Sequence, residues 1–276
     1  HYKQHDAGSG HSGRCLVTAP RLAQRGRYGR TYPWPPPPDD PTWHVPSVTT
    51  VLNKLAKPAL VGWAARTASE AAVRMAKSGA LAALIEQSDQ QAVDALKDVH
   101  NHNRDAAGAV GTTVHDALEK WATGDELPAL GDAAAVTWVN LSVLIEQLEL
   151  EVMHSEVTVY GDLGDESTAY AGTADLIASI EVPGRGRRTL VVDLKTNKGG
   201  AYPEASYQVA ALRNATKLVT RDGQLVPMPD TDGGLILTAR PEGAAAVPVI
   251  SDGPALEVFR ACRQLHHLTT AGTKFV

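Results

Sequence analysis

The sequence predicts an α/β protein whose helical N-terminal half packs on a mixed central sheet of about five strands flanked by helices. Between residues 48 and 150, apolar side chains recur at the three- and four-residue spacing of amphipathic helices. After residue 150, β-branched residues, partial alternation and turn signals take over. A length of 276 residues with 43% hydrophobic content suffices for one large domain with a substantial core, or for two small ones.

Residues 1 to about 45 are rich in Gly, Pro, Arg and Tyr and include "TYPWPPPPDD", a proline run that favours polyproline II or loop over helix. They read as an N-terminal arm, irregular in part. Several arginines in "GRCLVTAPRLAQRGRYGR" are suited to touch a phosphate backbone; a solvated tail is the plainer reading. Residues 46–276 read as a single domain, helical over 46–150 and sheet-containing over 151–276. In "VPSVTTVLNKLAKPALVGWAA", Ser47 suits an N-cap before Val48, Val51, Leu52 and Leu55. Pro58 fits the first turn of a second helix carrying Leu60, Val61, Trp63 and Ala64. A further helix is expected over roughly 88–102, another capped by Thr112 or Thr113 and ending near Gly124, and a long amphipathic one over 133–150.

Three strands follow in "EVMHSEVTVYGD", "TAYAGTADLIASIEV" and "RRTLVVDLKT", with "PGRGR" turning the second into the third as a hairpin. A helix is expected over 203–218, then short strands in "GGLILTAR" and "AAAVPVI", then a terminal helix in "PALEVFRACRQLHHLTT".

Several function classes are excluded or disfavoured. No run approaches the roughly 18 apolar residues of a membrane span, and no basic-then-apolar opening suggests a secretory signal. A cytoplasmic location is therefore expected. Two cysteines, Cys15 and Cys262, cannot build a disulfide framework, a four-cysteine zinc site or an iron–sulfur cluster, and they read as free thiols. The net charge of -5 neither announces nor excludes a nucleic-acid binder, because carboxylates gathered around a cation make an enzyme acidic by count.

The chemistry-bearing residues start in "LVVDLKT". Asp193 and Lys195 stand two apart in a strand, so both project to one face while Leu194 points away. Charges in so apolar a strand need compensation, either as a simple buried ion pair or within a site. Asp175, in "GTADLIASI", is folded back beside Asp193 by the hairpin. Two adjacent carboxylates repel unless a cation lies between them, and hard ions such as Mg²⁺ or Mn²⁺, one or two of them, suit oxygen ligands. Glu156 in "SEVTVY" is a further candidate carboxylate, or an ordinary strand residue. His115 and Glu119 are i and i+4 on one helix, without the second histidine of a zinc-protease motif. Tyr207 and Gln208, in "SYQVAAL", lie on the helix after the Asp-Leu-Lys strand.

The order of these motifs resembles the PD-(D/E)XK nuclease superfamily, and within it the RecB-like exonuclease branch with its phage and CRISPR-associated members. The similarity rests on a His-bearing helix, a G-x-x-D strand ending at Asp175, a D-x-K strand from Asp193 to Lys195, and a helix carrying Tyr207 and Gln208. It spans roughly 110–212, and "VPSVTTVL" and "KPALVGWAA" are similar to the helical front of phage-type relatives. The four cluster-binding cysteines of some relatives are missing, and no G-x-x-x-x-G-K-[ST] loop makes the chain a helicase motor.

The resemblance implies a restriction-endonuclease-like core and a metal-dependent deoxyribonuclease, an exonuclease of recombination, repair or phage replication. It implies metal binding by His115, Asp175, Asp193 and the Leu194 carbonyl, and catalysis by Lys195, with Tyr207 and Gln208 positioning the strand and Glu156 orienting a water. Its partners would be single-stranded DNA or duplex ends, and a recombination or replication protein, with no membrane. An inactive DNA- or protein-binding module on the same fold is the alternative.

Overall fold

The apolar run "LVVDLK" is buried from both sides, which is why it shows no alternation. In the computed structural model, which describes residues 22–37, 39–197 and 200–270, it forms the strand β6 (Gly186–Lys195) near the middle of a seven-stranded sheet. The other strands are β4 (Glu151–Gly161), β5 (Tyr170–Val182), β7 (Lys217–Val219), β8 (Leu225–Pro227), β9 (Gly233–Arg240) and β10 (Gly243–Val249). Their order is β10-β9-β6-β5-β4-β7-β8, with β6 and β9 parallel and the other neighbours antiparallel. The expected hairpin is β5–β6, turning where Gly184 and Gly186 adopt φ of +73° and +68°. Two of the seven strands, β7 and β8, were not expected; each has three residues.

Helices cover both faces. On one, α1 (Val48–Leu52), α6 (Pro203–Arg213) and α7 (Gly253–Thr270) place Val48, Val209 and Phe259 against Ile177, Val191 and Ile236. On the other, α4 (Asp89–Thr123) and α5 (Asp132–Gln147) set Val114, Leu118, Trp138 and Leu141 against Leu176, Val192, Leu194 and Leu235. The helices α2 (Pro58–Lys77) and α3 (Ala80–Gln87) pack on the first part of α4. Ser47 caps α1 as expected, its Oγ accepting the Thr50 N–H at 3.0 Å. Pro58 opens α2. Cys262 is buried in α7 as a free thiol, whereas Cys15 lies outside the described residues. Among the described residues no helix is long and apolar enough to cross a membrane.

Three expectations are corrected. The two helices expected over 88–102 and after Thr112 are a single 35-residue helix. Thr112 and Thr113 do not cap it; their hydroxyls donate to the Gly108 and Ala109 carbonyls at 3.0 Å each, one turn back. Its end at Gly124, with φ of +71°, is where the sequence puts it. The helix expected over 203–218 stops at Arg213, because residues 217–219 pair with the edge of β4.

Within the N-terminal arm, β1 (Gln24–Gly26), β2 (Gly29–Trp34) and β3 (Trp43–Pro46) form a small antiparallel sheet. Tyr32 and Val45, both fully buried, anchor it on Tyr160, Ala169 and Ala171. Arg25 and Arg30 therefore lie on strands, while Arg14 and Arg21 fall outside the described residues.

Candidate metal centre

The register pairing Leu176 with Val192 brings Asp175 and Asp193 abreast where the β5–β6 ladder ends. There the Asp175 side chain takes over from the backbone: its Oδ2 accepts the Leu194 N–H at 2.7 Å. On the other side of β5, Ser155 pairs with Leu176 and Val157 with Ala174, which sets Glu156 across from Asp175. Glu156 has a φ of +48°, a left-handed conformation that costs a non-glycine residue about 1–2 kcal/mol and persists only where its surroundings enforce it. The distortion sits at the one position of β4 facing Asp175.

The third contributor is His115 on α4, whose Nδ1 is 3.5 Å from Asp175 Oδ2. One ligand atom each from His115, Glu156 and Asp175 lie within 4.8 Å of one another. Two oxygens on opposite sides of a Mg²⁺ ion are about 4.2 Å apart, so a small contraction would let this group close on a cation. The electrostatics point the same way. Burial, then the charges of Asp175, Glu119 and Asp116, push the Glu156 carboxyl up to about 9, so without added positive charge it is protonated at neutral pH. The donor set, one imidazole and two carboxylates among further acids, fits a divalent cation with Mn²⁺ or Mg²⁺ preferences.

Asp193 belongs to a neighbouring arrangement. It is 2% exposed, with Oδ2 2.6 Å from Lys195 Nζ and Oδ1 accepting the Gln208 Nε2 hydrogen at 2.8 Å. Lys195 closes the triangle by donating to Gln208 Oε1 at 3.1 Å. Burial pushes the Asp193 carboxyl up to about 6, against the pull of Lys195. Burial disfavours the Lys195 ammonium too, but Asp193 and Asp175 outweigh it and its pKa rises, so the lysine is charged. Of the expected ligands, then, His115 and Asp175 stand in the three-residue group, Glu156 joins them, and Asp193 stands beside it, held by Lys195 and Gln208. Leu194 meets Asp175 through its N–H.

Tyr207 packs on the core under α6, while Gln208, the next residue, is bonded to Asp193 and Lys195.

The group opens into a cavity of about 410 Å³ with Arg30 and Thr49 on one side and Gly111 of α4 on another. A Cβ on Gly111 would lie 2.7 Å from Thr196 Oγ1, so glycine lets α4 close on the end of β6. Asp116 and Gly111 were missed from the sequence, though Asp116 follows His115 on α4 and Glu119 lies one turn further on, a usable signal. Arg30 is one of the arginines singled out in the N-terminal arm, and the structure places it at this cavity.

No family model and no curated protein matches the chain. Among solved structures, the crystal structure of SSO0001 is similar at 17% identity and a TM-score of 0.28, over 50% of this chain and 59% of that one. So slight a likeness carries no argument.

Proposed function

We propose that the chain is a divalent-cation-dependent deoxyribonuclease of the PD-(D/E)XK type, an exonuclease acting in recombination, repair or phage replication. The observation that carries the reading is the juxtaposition of two units. One is the His115, Glu156 and Asp175 group, whose ligand atoms lie within 4.8 Å; the other is a charged Lys195 fixed on Asp193 at 2.6 Å. A simple buried ion pair would account for Asp193 and Lys195, but not for three further ligand side chains converging beside them, one through a left-handed backbone.

His115, Glu156 and Asp175 would hold the cation, which when bound supplies Lewis-acid polarisation of a phosphate and a lowered pKa for water. Lys195 directs its ammonium at the charge that develops on the phosphate, and Gln208 keeps it from swinging away. Arg30, across the larger cavity, offers a guanidinium to an adjacent phosphate. Asp116 and Glu119 make the centre attractive to a cation and help hold the proton on Glu156 until positive charge arrives.

The test is digestion of end-labelled linear DNA against a closed single-stranded circle, with Mn²⁺ and with chelator. The expected result is nucleotide release from linear DNA, none from the circle, and none with chelator. Cutting of the circle would overturn the exonuclease assignment, and inert linear DNA would overturn the nuclease.

A further inference from the structure

A second cavity, of about 350 Å³, lies beside the first and has Lys195 and Gln208 in its wall. The two cavities share Thr49 and Gln208, so they meet at the triangle that fixes the lysine. The rest of its wall comes from segments far apart in sequence. Asn53 follows α1, Lys57 precedes α2, and Tyr202 and Glu204 stand at the start of α6.

Its charges are paired. Lys57 Nζ lies 2.9 Å from Glu204 Oε1 and donates to Asn53 Oδ1 at 3.3 Å. Lys195 is held by Asp193. Away from Lys195, where Lys57 is already paired with Glu204, the cavity suits an uncharged polar group, because the amide of Asn53, the ammonium of Lys57 and the carboxylate of Glu204 present both donors and acceptors.

Tyr202, about half exposed as a residue, contributes its aromatic side chain to the wall. The volume is near the lower end of the ~300–1,000 Å³ range of small-molecule pockets. It is large enough for one ring system with its sugar.

We propose that this second cavity receives one unpaired nucleobase of the strand being cut, stacked on Tyr202 and hydrogen-bonded by Asn53, Lys57 and Glu204. The proposal rests on the nuclease reading and gives it a substrate preference. A phosphate held at the cation group and Lys195 places the neighbouring base within reach of this cavity. A base inside a duplex must leave its stack to enter. Single strands and frayed ends are therefore the substrates, and intact blunt duplex is cut slowly. Stacking accepts any base, so little sequence preference results.

The experiment has two arms on the full chain. In the first, NMR titration with deoxyadenosine in chelator measures binding to wild type, Tyr202→Phe and Tyr202→Ala. Losing an aromatic–base stack weakens binding by roughly 5- to 100-fold, so Tyr202→Ala is expected in that range, Tyr202→Phe within about twofold of wild type, and inorganic phosphate is not expected to displace the nucleoside. In the second, Mn²⁺-dependent cleavage of a labelled single-stranded oligonucleotide is expected to show a raised KM for Tyr202→Ala with kcat little changed. If no variant cleaves DNA but the binding arm holds, the nuclease reading fails and the base site stands. Absent nucleoside binding, displacement by phosphate, or equal binding by wild type and Tyr202→Ala would overturn the base site.

Discussion

Replacing Glu156 with glutamine tests the charge logic of the centre without a substrate. The Glu156 carboxyl is pushed from an ordinary 4.5 up to about 9, burial first and the acids Asp175, Glu119 and Asp116 next. The folded protein thus holds a proton that the unfolded chain releases. Stability from this group is complete below the unfolded pKa and is lost as pH rises towards the folded one, by at most about 1.4 kcal/mol per pH unit. Between pH 6 and pH 8 both limits are far enough away that the loss approaches about 2.7 kcal/mol. Glutamine has the same shape and no charge to bury, so Glu156→Gln removes this slope. Asp193, raised to about 6, is present in both proteins and largely cancels in the comparison. The assay is urea unfolding in chelator at pH 6 and pH 8. The wild type should lose about 2–3 kcal/mol more than the variant between the two pH values. Saturating Mn²⁺ should restore the wild type at pH 8 and do much less for the variant, since a ligand that binds only the folded state stabilises it. Parallel pH dependence in the two proteins would refute the protonated state assigned to the buried Glu156 carboxyl.

Four further variants have expected outcomes. Gly111→Ala places a methyl 2.7 Å from Thr196 Oγ1 and should cost about 1–3 kcal/mol in chemical denaturation, with reduced activity as the end of β6 shifts. Gly108→Ala, one turn earlier with nothing within 4 Å, should hold or raise stability by up to about 1 kcal/mol, so equal effects at the two glycines would contradict the packing described. Gly234→Ala drives a methyl to 2.4 Å from Val209 Cγ1 on α6 and should lower the melting temperature markedly; an unchanged Tm would contradict the tight contact of β9 with that helix. His115→Ala should abolish most of the Mn²⁺-induced rise in Tm, and a full rise would place the cation elsewhere.

The hairpin that carries Asp175 and Asp193 was legible because its information is local. A "PGRGR" turn and two apolar runs fix the register, and the register sets the acids abreast. Lys195 followed from the two-residue period of a strand. The long helix α4 was less legible because Gly108, Gly111 and Thr112 are breaker and cap signals in isolation. The tight approach to Thr196 favours glycine at 111, and a hydroxyl bond to the preceding turn satisfies Thr112. β7 and β8 are too short to carry a pattern and exist because an edge of β4 is available to pair. The proline-rich arm hid β2, whose burial depends on Tyr160 far along the chain. At the site, the phase of α6 decided between Tyr207 and Gln208, and a backbone angle at Glu156 decided its place in the ligand group. Neither is written in residue type. Arg30, Lys57 and Tyr202 join the cavities from separate segments, a juxtaposition only tertiary structure supplies.

The proposed activity is DNA cleavage at a cation-bearing centre beside Lys195. Its most direct measurement is the Mn²⁺-dependent rate of nucleotide release from linear single-stranded DNA by wild type and Lys195→Ala, prepared identically and matched in circular dichroism. Removing one charge-stabilising donor from such a centre should lower the rate by at least about 10²-fold while the fold persists. A Lys195→Ala protein digesting DNA at the wild-type rate, or a wild type indifferent to chelator, would contradict the account.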